Sequence, residues 1–359
     1  MAFDLGKLKS IFRIPEAKSD EIIGIDLGAS SIKVVQLKNN EGVPTLVTYG
    51  ELQLGPYANL EVGEVTQLEL SRQTEALVDI IREAAVTANS VAMAVPYTSS
   101  FATTIDIDAL DEIEISKRLP IEARKYVPVP LSEVTFDWFS LSRDEEAKTT
   151  KLLLVAIYND ALNRLRSVLF GAGLTVSYTE LEPFSAVRAA ITETDVDVAL
   201  IDFGAMSTKL YIVHDGVLQT IHNLRPTGYE LTTAFQKALN LGFSVAEEAK
   251  RRVGITGEGE YAAGSIVMRT MLERGMREID KVIDAYEQET GVKIGRVLLL
   301  GGGAYLPGLG TFTADVLQRP VAVADPFSKV AFPAFLEDTL HASGPSFTVA
   351  VGAALRAFG

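Results

Sequence analysis

Two stretches decide the fold: Ile25-Asp26-Leu27-Gly28-Ala29-Ser30-Ser31-Ile32-Lys33 and Ile201-Asp202-Phe203-Gly204-Ala205-Met206-Ser207-Thr208-Lys209. Laid over each other without a gap, they share six of nine positions: Ile, Asp, Gly, Ala, Ser and Lys. Each copy follows an apolar run, Ile22-Ile23 or Val198-Ala199-Leu200, and leads into another, Val34-Val35 or Leu210-Tyr211-Ile212-Val213. Each then meets a turn-like stretch, Asn39-Asn40-Glu41-Gly42 or His214-Asp215-Gly216. Breaks of this kind between apolar runs predict β-hairpins. The shared polar positions are not those a core would dictate, so the repeat marks a duplicated architecture.

The residues of the repeat suit a definite chemistry. A tight turn after a strand-end Asp exposes backbone N–H groups to phosphate oxygens, while the carboxylate can hold a hydrated Mg²⁺. One Asp-x-Gly-x-x-Ser is a common turn. Two copies with matching flanks can clamp one polyphosphate from both sides. A third element follows: Val297-Leu298-Leu299-Leu300 runs into Gly301-Gly302-Gly303-Ala304. There the missing side chains let backbone approach a flat ligand. By itself a strand with a triple-glycine turn is an ordinary structural turn.

Between the copies, residues 73–88 carry Leu77, Ile80, Ile81 and Ala84 at helical spacing, and an apolar run follows at 90–95. The next block has its own composition: 101–107 extended, 112–126 helical, 133–141 alternating, 151–158 apolar, 160–170 helical. It reads as an inserted α/β module over 97–178. In the second half, 265–288 places Met268, Leu272, Met276, Ile279 and Ile283 on one face, a long amphipathic helix that core packing explains. The expected organisation is an N-terminal extension (1–21), a first α/β half (22–96), the insertion (97–178), a connecting helix (179–197), a second half (198–345) and a C-terminal helix returning to the first half (346–359). Strands alternating with helices imply a mostly parallel or mixed sheet in each half.

Composition removes several classes. The chain of 359 residues has a net charge of −14, which argues against a broad footprint on nucleic acid or acidic lipid. No cysteine occurs, so disulfides, thiolate metal sites and a Cys nucleophile are excluded, and three histidines make a zinc-type site a poor expectation. No run approaches the roughly 18–20 apolar residues of a membrane span, and the start lacks a signal-peptide pattern. The expectation is a cytoplasmic protein. Within the first 18 residues, Phe3, Leu8, Ile11 and Phe12 with Lys7, Lys9, Arg13 and Lys18 make a short basic amphipathic segment. Contact with a membrane surface and a flexible or strapped-down terminus are both consistent with it.

The order of the three elements resembles the actin, hexokinase and DnaK-type superfamily: phosphate loop, phosphate loop, adenosine loop. More closely, "IDLGASSIKVVQL", "EARKYVPVP", "FDW", "ALIDFGAMSTKLYIV", "EEAKRRVG", "LLLGGGAYLPGLG" and "VAVGAALRAF" resemble the PilM family of type IV pilus assembly ATPases, relatives of FtsA, from about residue 22 onward. The resemblance implies an actin-like (ribonuclease-H-like) duplicated two-domain α/β fold with an inserted small α/β subdomain. It implies Asp26 and Asp202 as Mg²⁺ holders through water, Asp202 also in a catalytic role. Gly28, Ser30, Ser31, Lys33, Gly204, Ser207 and Thr208 would contact phosphates. Gly301, Gly302, Gly303 and Ala304 would border the adenosine, and Glu247, Lys250 and Arg251 the nucleoside, although any one of these three also reads as part of a solvated charged helix face. Glu182 stands where relatives orient the attacking water, and before Pro183 it also reads as a helix N-terminal carboxylate.

The implied ligands are ATP or ADP with Mg²⁺. The implied partner is the cytoplasmic N-terminal peptide of a PilN-like membrane protein, bound by the insertion, which would hold the chain peripherally at the inner membrane. Two departures from the superfamily pattern, Ala29 for a hydroxyl residue and Met206 where a small residue is common, point to slow or absent hydrolysis. The alternatives are an FtsA-like filament former, acting by self-association, and a small-molecule kinase. No convincing base and substrate set supports the kinase.

Overall fold

The structure is a computed structural model that describes residues 20–358. The amphipathic segment within the first 18 residues lies outside them. The first hairpin runs as β1 (Glu21–Leu27), β2 (Ser31–Asn40) and β3 (Val43–Gln53), all antiparallel. A segment without regular strands then leads to α1 (Leu70–Glu83) and β4 (Ser90–Val95), which joins β1 in parallel. Helix α1 begins earlier than expected and stops at Glu83, because the chain enters the left-handed region at Ala85, φ 51°.

Next come β5 (Ser100–Ile107), α2 (Glu112–Ala123), β6 (Val134–Asp144) and β7 (Thr149–Tyr158), forming a separate antiparallel sheet in the order β5-β7-β6. Asp111 caps α2 by accepting from the Glu114 N–H at 2.8 Å. Strand β7 is apolar on both faces for a reason. Leu153, Val155 and Ile157 pack into the main core of the first half, and Leu152, Leu154 and Ala156 into a core of the small sheet's own.

The inserted unit is narrower than the expected 97–178. Helix α3 (Asn159–Gly171) lies against α1, with Leu162, Leu165, Val168 and Leu169 in the main core. Strand β8 (Thr175–Leu181) completes the first sheet, β3-β2-β1-β4-β8. The buried face of α3 matches the first half, so the chain has already left the small sheet at Tyr158.

Helix α4 (Glu182–Ala190) leads to the second copy: β9 (Asp197–Phe203), β10 (Thr208–His214) and β11 (Val217–Leu224). After α5 (Gly228–Leu239), α6 (Phe243–Val253) and the long α7 (Ala262–Thr290), β12 (Arg296–Leu300) joins β9 in parallel. Past α8 (Leu309–Leu317), β13 (Val321–Val323) gives β11-β10-β9-β12-β13, the topology of the first sheet repeated. Both faces of this sheet are covered: Val198, Leu200, Tyr211 and Val213 share a core with α4, and Ala199, Ile201, Leu210 and Ile212 pack with α5 and α7. Each fully buried aliphatic side chain of this kind contributes about 1.5–3 kcal/mol.

After α9 (Glu337–Ser343), the chain ends its described part with α10 (Thr348–Leu355), buried throughout and packed on β1 and α4 of the first half. The contact is backbone against backbone: a Cβ on Gly352 would lie 1.8 Å from the Ser185 carbonyl oxygen. Beside it, Glu180 is buried and takes two bonds from Arg188 (2.5 and 2.9 Å), one from Arg356 (2.7 Å) and one from Ser185 (2.5 Å). Burial pushes its carboxyl up, but the two guanidinium groups outweigh that and hold it below its ordinary value. The α4–α10 crossing ties the connecting helix and the chain end to the first sheet.

Candidate functional site: a cleft between two duplicated hairpins

A cavity of about 630 Å³ opens between the two halves, lined by both copies of the repeat. Strand pairing sets which side chains reach it. Asp26 lies directly across from Lys33 on β1–β2, and Asp202 directly across from Lys209 on β9–β10. Residues opposed in an antiparallel ladder share a face, so each half delivers one Asp–Lys pair to the same space. The turns match as well: Gly28 N–H donates to Ser31 O at 3.1 Å, and Gly204 N–H to Ser207 O at 2.9 Å.

Gly28, Ser30, Ser31 and Lys33 line the cavity from one side, Gly204 and Ser207 from the other, with Asp26, Asp202 and Glu182 at its floor. Gly301, Gly302 and Gly303 close a third side. Gly301 has φ +83°, and a Cβ there would lie 2.4 Å from Asp202 Oδ1, so only glycine allows this loop to pass the carboxylate. Glu247, Lys250 and Arg251 reach the cavity from α6.

Two of the expected residues do not face this space. Thr208 is opposed to Phe203, on the other face of the hairpin, and its hydroxyl donates to the Pro226 carbonyl at 2.6 Å. Strand alternation therefore turns it away. Ala304 is 3% exposed and belongs to the core of the second half, because the turn after Gly303 directs it inward. Met206, expected to crowd its loop, is instead 47% exposed at the rim. Ala29 lines the cleft with no side-chain donor, as its identity requires.

The structure adds residues that sequence reading passed over. Lys209 lines the cleft, as do Glu51, Thr232, Tyr229 and Tyr305. For Lys209 the signal was present: it is the repeat-mate of Lys33. The others come from elements without a motif.

The electrostatics divide into three groups. Lys33 bonds Ser31 Oγ at 2.7 Å and pairs with Glu51 at 3.3 Å; burial raises the Glu51 carboxyl, but Lys33 and Ser31 hold it below its ordinary value. Lys209 contacts the Glu182 carboxylate and lies 3.3 Å from Asp202 Oδ2, which also accepts from Tyr211 Oη at 3.1 Å. Burial works against the Lys209 charge, yet Asp202 and Glu182 keep its pKa above the ordinary lysine value. On α6, Glu247 pairs with Lys250 at 2.6 Å and Arg251 at 2.7 Å, and Lys250 also donates to Thr232 Oγ1 at 2.7 Å.

Asp26 differs from the rest. Burial pushes its carboxyl up to about 6 against the pull of Lys33. A hard cation beside it would relieve that strain. Among the described residues, no three His, Asp or Glu side chains converge to cage an ion alone. Two separated carboxylates beside open glycine turns fit an ion that keeps several waters and takes its other ligands from phosphate, which is the habit of Mg²⁺. The same turns present backbone N–H groups to an anion.

The architecture and cleft define an actin-like nucleotide-binding fold. Among solved structures, that of ethanolamine utilization protein EutJ from Carboxydothermus hydrogenoformans matches with a TM-score of 0.56 and 18% identity over 97% of this chain and 92% of that one. MreB5 of Spiroplasma citri bound to ADP matches with 0.51 and 15% over 94% and 95%. The chain belongs to the family of the type IV pilus assembly protein PilM, whose profile matches residues 24–358. A solved PilM-PilN type IV pilus biogenesis complex matches with a TM-score of 0.82 and 24% identity, over 96% of this chain and 100% of that one. The cell division protein FtsA of Bacillus subtilis (strain 168) is 23% identical over 345 residues, 85% of this chain and 78% of its own.

Proposed function

We propose that this chain is an ATP-binding adaptor of a type IV pilus assembly platform, a weak ATPase at most. The observation that carries the reading is the pair of Asp–Lys hairpins facing one cleft. In this reading the backbone N–H groups of the two glycine turns, with Ser30, Ser31 and Ser207, hold the phosphates. Asp26 and Asp202 hold the waters of Mg²⁺, which supplies charge neutralisation to the polyphosphate when bound. The triple-glycine loop and the Glu247–Lys250 pair border the nucleoside. Glu182, at the first turn of α4, orients water toward the terminal phosphate.

The second ligand in this reading is the N-terminal cytoplasmic peptide of a PilN-like membrane protein, bound by the small inserted sheet and its helix. Membership of the PilM family supports this. So does α2, which shows Ile113 and Ile121 to solvent at 70% and 65% exposure. Among the described residues no helix is long and apolar enough to cross a membrane, so the partner would provide the attachment to the inner membrane from the cytoplasmic side.

Isothermal titration of ATP and ADP with Mg²⁺ tests the cleft, on wild type and on Asp26→Ala and Asp202→Ala. Binding by wild type and its loss in both variants is expected. Wild-type-like binding by both would overturn the reading. Fluorescence anisotropy with a PilN-type N-terminal peptide tests the second ligand, with Ile113→Asp and Ile121→Asp expected to weaken it.

A further inference from the structure

The two hairpins are duplicated in backbone but not in how their lysines are used. On the first, β3 places Glu51 directly across from Lys33, and Lys33 pairs with it along the sheet, within the cleft wall. On the second, β11 places Asn223 at the matching position across from Lys209. With no acid on that side, Lys209 turns inward and bridges Glu182 and Asp202. All three side chains are at least nine-tenths buried, so the contact is little screened by water.

We propose that Lys209 is a positioning residue that clamps Glu182 and thereby slows turnover in the cleft. The proposal rests on the reading of the cleft as an ATP site. Hydrolysis forms a bond from water oxygen to the γ-phosphorus and breaks the bond to the β–γ bridging oxygen. The proton of the water ends on the released phosphate. Orienting that water requires a carboxylate lone pair aimed at it. The Lys209 ammonium forms an ion pair with Glu182 at Oε1 and with Asp202 at 3.3 Å, and so holds the Glu182 carboxylate toward the second hairpin rather than toward such a water. The asymmetry between Glu51 and Asn223 is what directs the ammonium inward, so it sets the brake.

Asn223 is exposed and outside the cleft, which permits a test that leaves Lys209, Glu182 and Asp202 in place. Asn223→Glu offers Lys209 the cross-strand carboxylate that Lys33 already has. Single-turnover phosphate release is expected to rise at least ~10-fold in Asn223→Glu and in Lys209→Met, to stay slow in Lys209→Arg, and to lose the gain when Glu182→Gln is added. A readout without nucleotide accompanies it: urea unfolding of Lys209→Met, Glu182→Gln and the double variant, where the double is expected to lose less than the sum of the singles. Additive losses would show no clamp. If Lys209→Met does not fold, Asn223→Glu decides. Calorimetry separates the two levels: absence of ATP binding by wild type overturns the site reading and the brake with it. Binding by wild type and Asn223→Glu with unchanged phosphate release overturns the brake alone.

Discussion

The Glu61 carboxylate accepts a hydrogen bond from the backbone N–H of Ser244, joining the segment after β3 in the first half to the N-terminus of α6 in the second. Gly242, at the N-cap of α6, offers no side chain, so a residue from across the cleft satisfies a donor the helix leaves open. The same segment lines the cavity through Gly63, Thr66 and Gln67. It forms a strap over the site.

Removing the strap's anchor should speed ligand exchange. A lost cap costs about 1 kcal/mol, roughly a fivefold change in an equilibrium. Glu61→Ala is therefore expected to release a fluorescent ADP analogue about fivefold faster in stopped-flow displacement. An unchanged release rate would show that the strap does not hold the ligand in.

Glu180 should be among the most costly carboxylates to neutralise. Glu180→Gln leaves Arg188, 6% exposed, without its bidentate partner. Breaking such a buried pair costs about 3–5 kcal/mol, read as a drop in the urea midpoint. A loss no larger than that of a surface carboxylate would contradict the description of this pair.

Two glycines should respond in opposite directions. Gly352→Ala forces a methyl group into the Ser185 carbonyl, and overpacking of this kind costs about 1–3 kcal/mol or more. Gly310, in α8, has nothing within 4 Å of its would-be Cβ, so Gly310→Ala should gain about 0.5–1 kcal/mol. Thermal unfolding of both variants checks the contrast.

Lys329 gives a pH signature. Burial, helped by the Arg188 charge, lowers its pKa to about 8, while its amine donates to the Arg188 carbonyl at 2.6 Å. Between pH 8 and the ordinary lysine value of 10.5, the unfolded chain holds a proton that the folded one has released. This group's contribution to stability therefore rises with pH across that window, by up to about 3 kcal/mol. Lys329→Met should flatten stability between pH 8 and 10.5, and an unchanged slope would refute the assignment.

Much of the architecture was legible because the repeat carries its information in polar residues. Asp26 and Asp202, each with its Gly, Ser and Lys, stand at positions that packing does not require, and they mark two hairpins that pair and turn alike. The long amphipathic helix was equally plain from its periodic Met, Leu and Ile. What escaped was non-local. Helix α3 and strand β8 carry ordinary amphipathic and apolar patterns, and no local feature says which of two cores they join. The inward turn of Lys209 depends on Asn223 standing where Glu51 stands in the other half, a fact about a third strand. That Thr208 faces away was readable in principle, since it is opposed to Phe203 once the hairpin register is set. The placement of Ala304 depended on how the glycine loop curves, which the glycines leave free.

The position of α10 has a consequence for how the molecule is made. A ribosome delivers the first sheet early, but the helix that covers β1 emerges almost last, after the whole second half. Domains made in sequence usually fold N-terminal first. Here one face of the second sheet can build its core with α5–α8 while Gly24, at the middle of β1, still waits for Ala350 and Ala354 of α10 to close over it. The nascent chain thus carries an open apolar sheet for most of its synthesis, and a chaperone would find its binding surface on the older half of the chain.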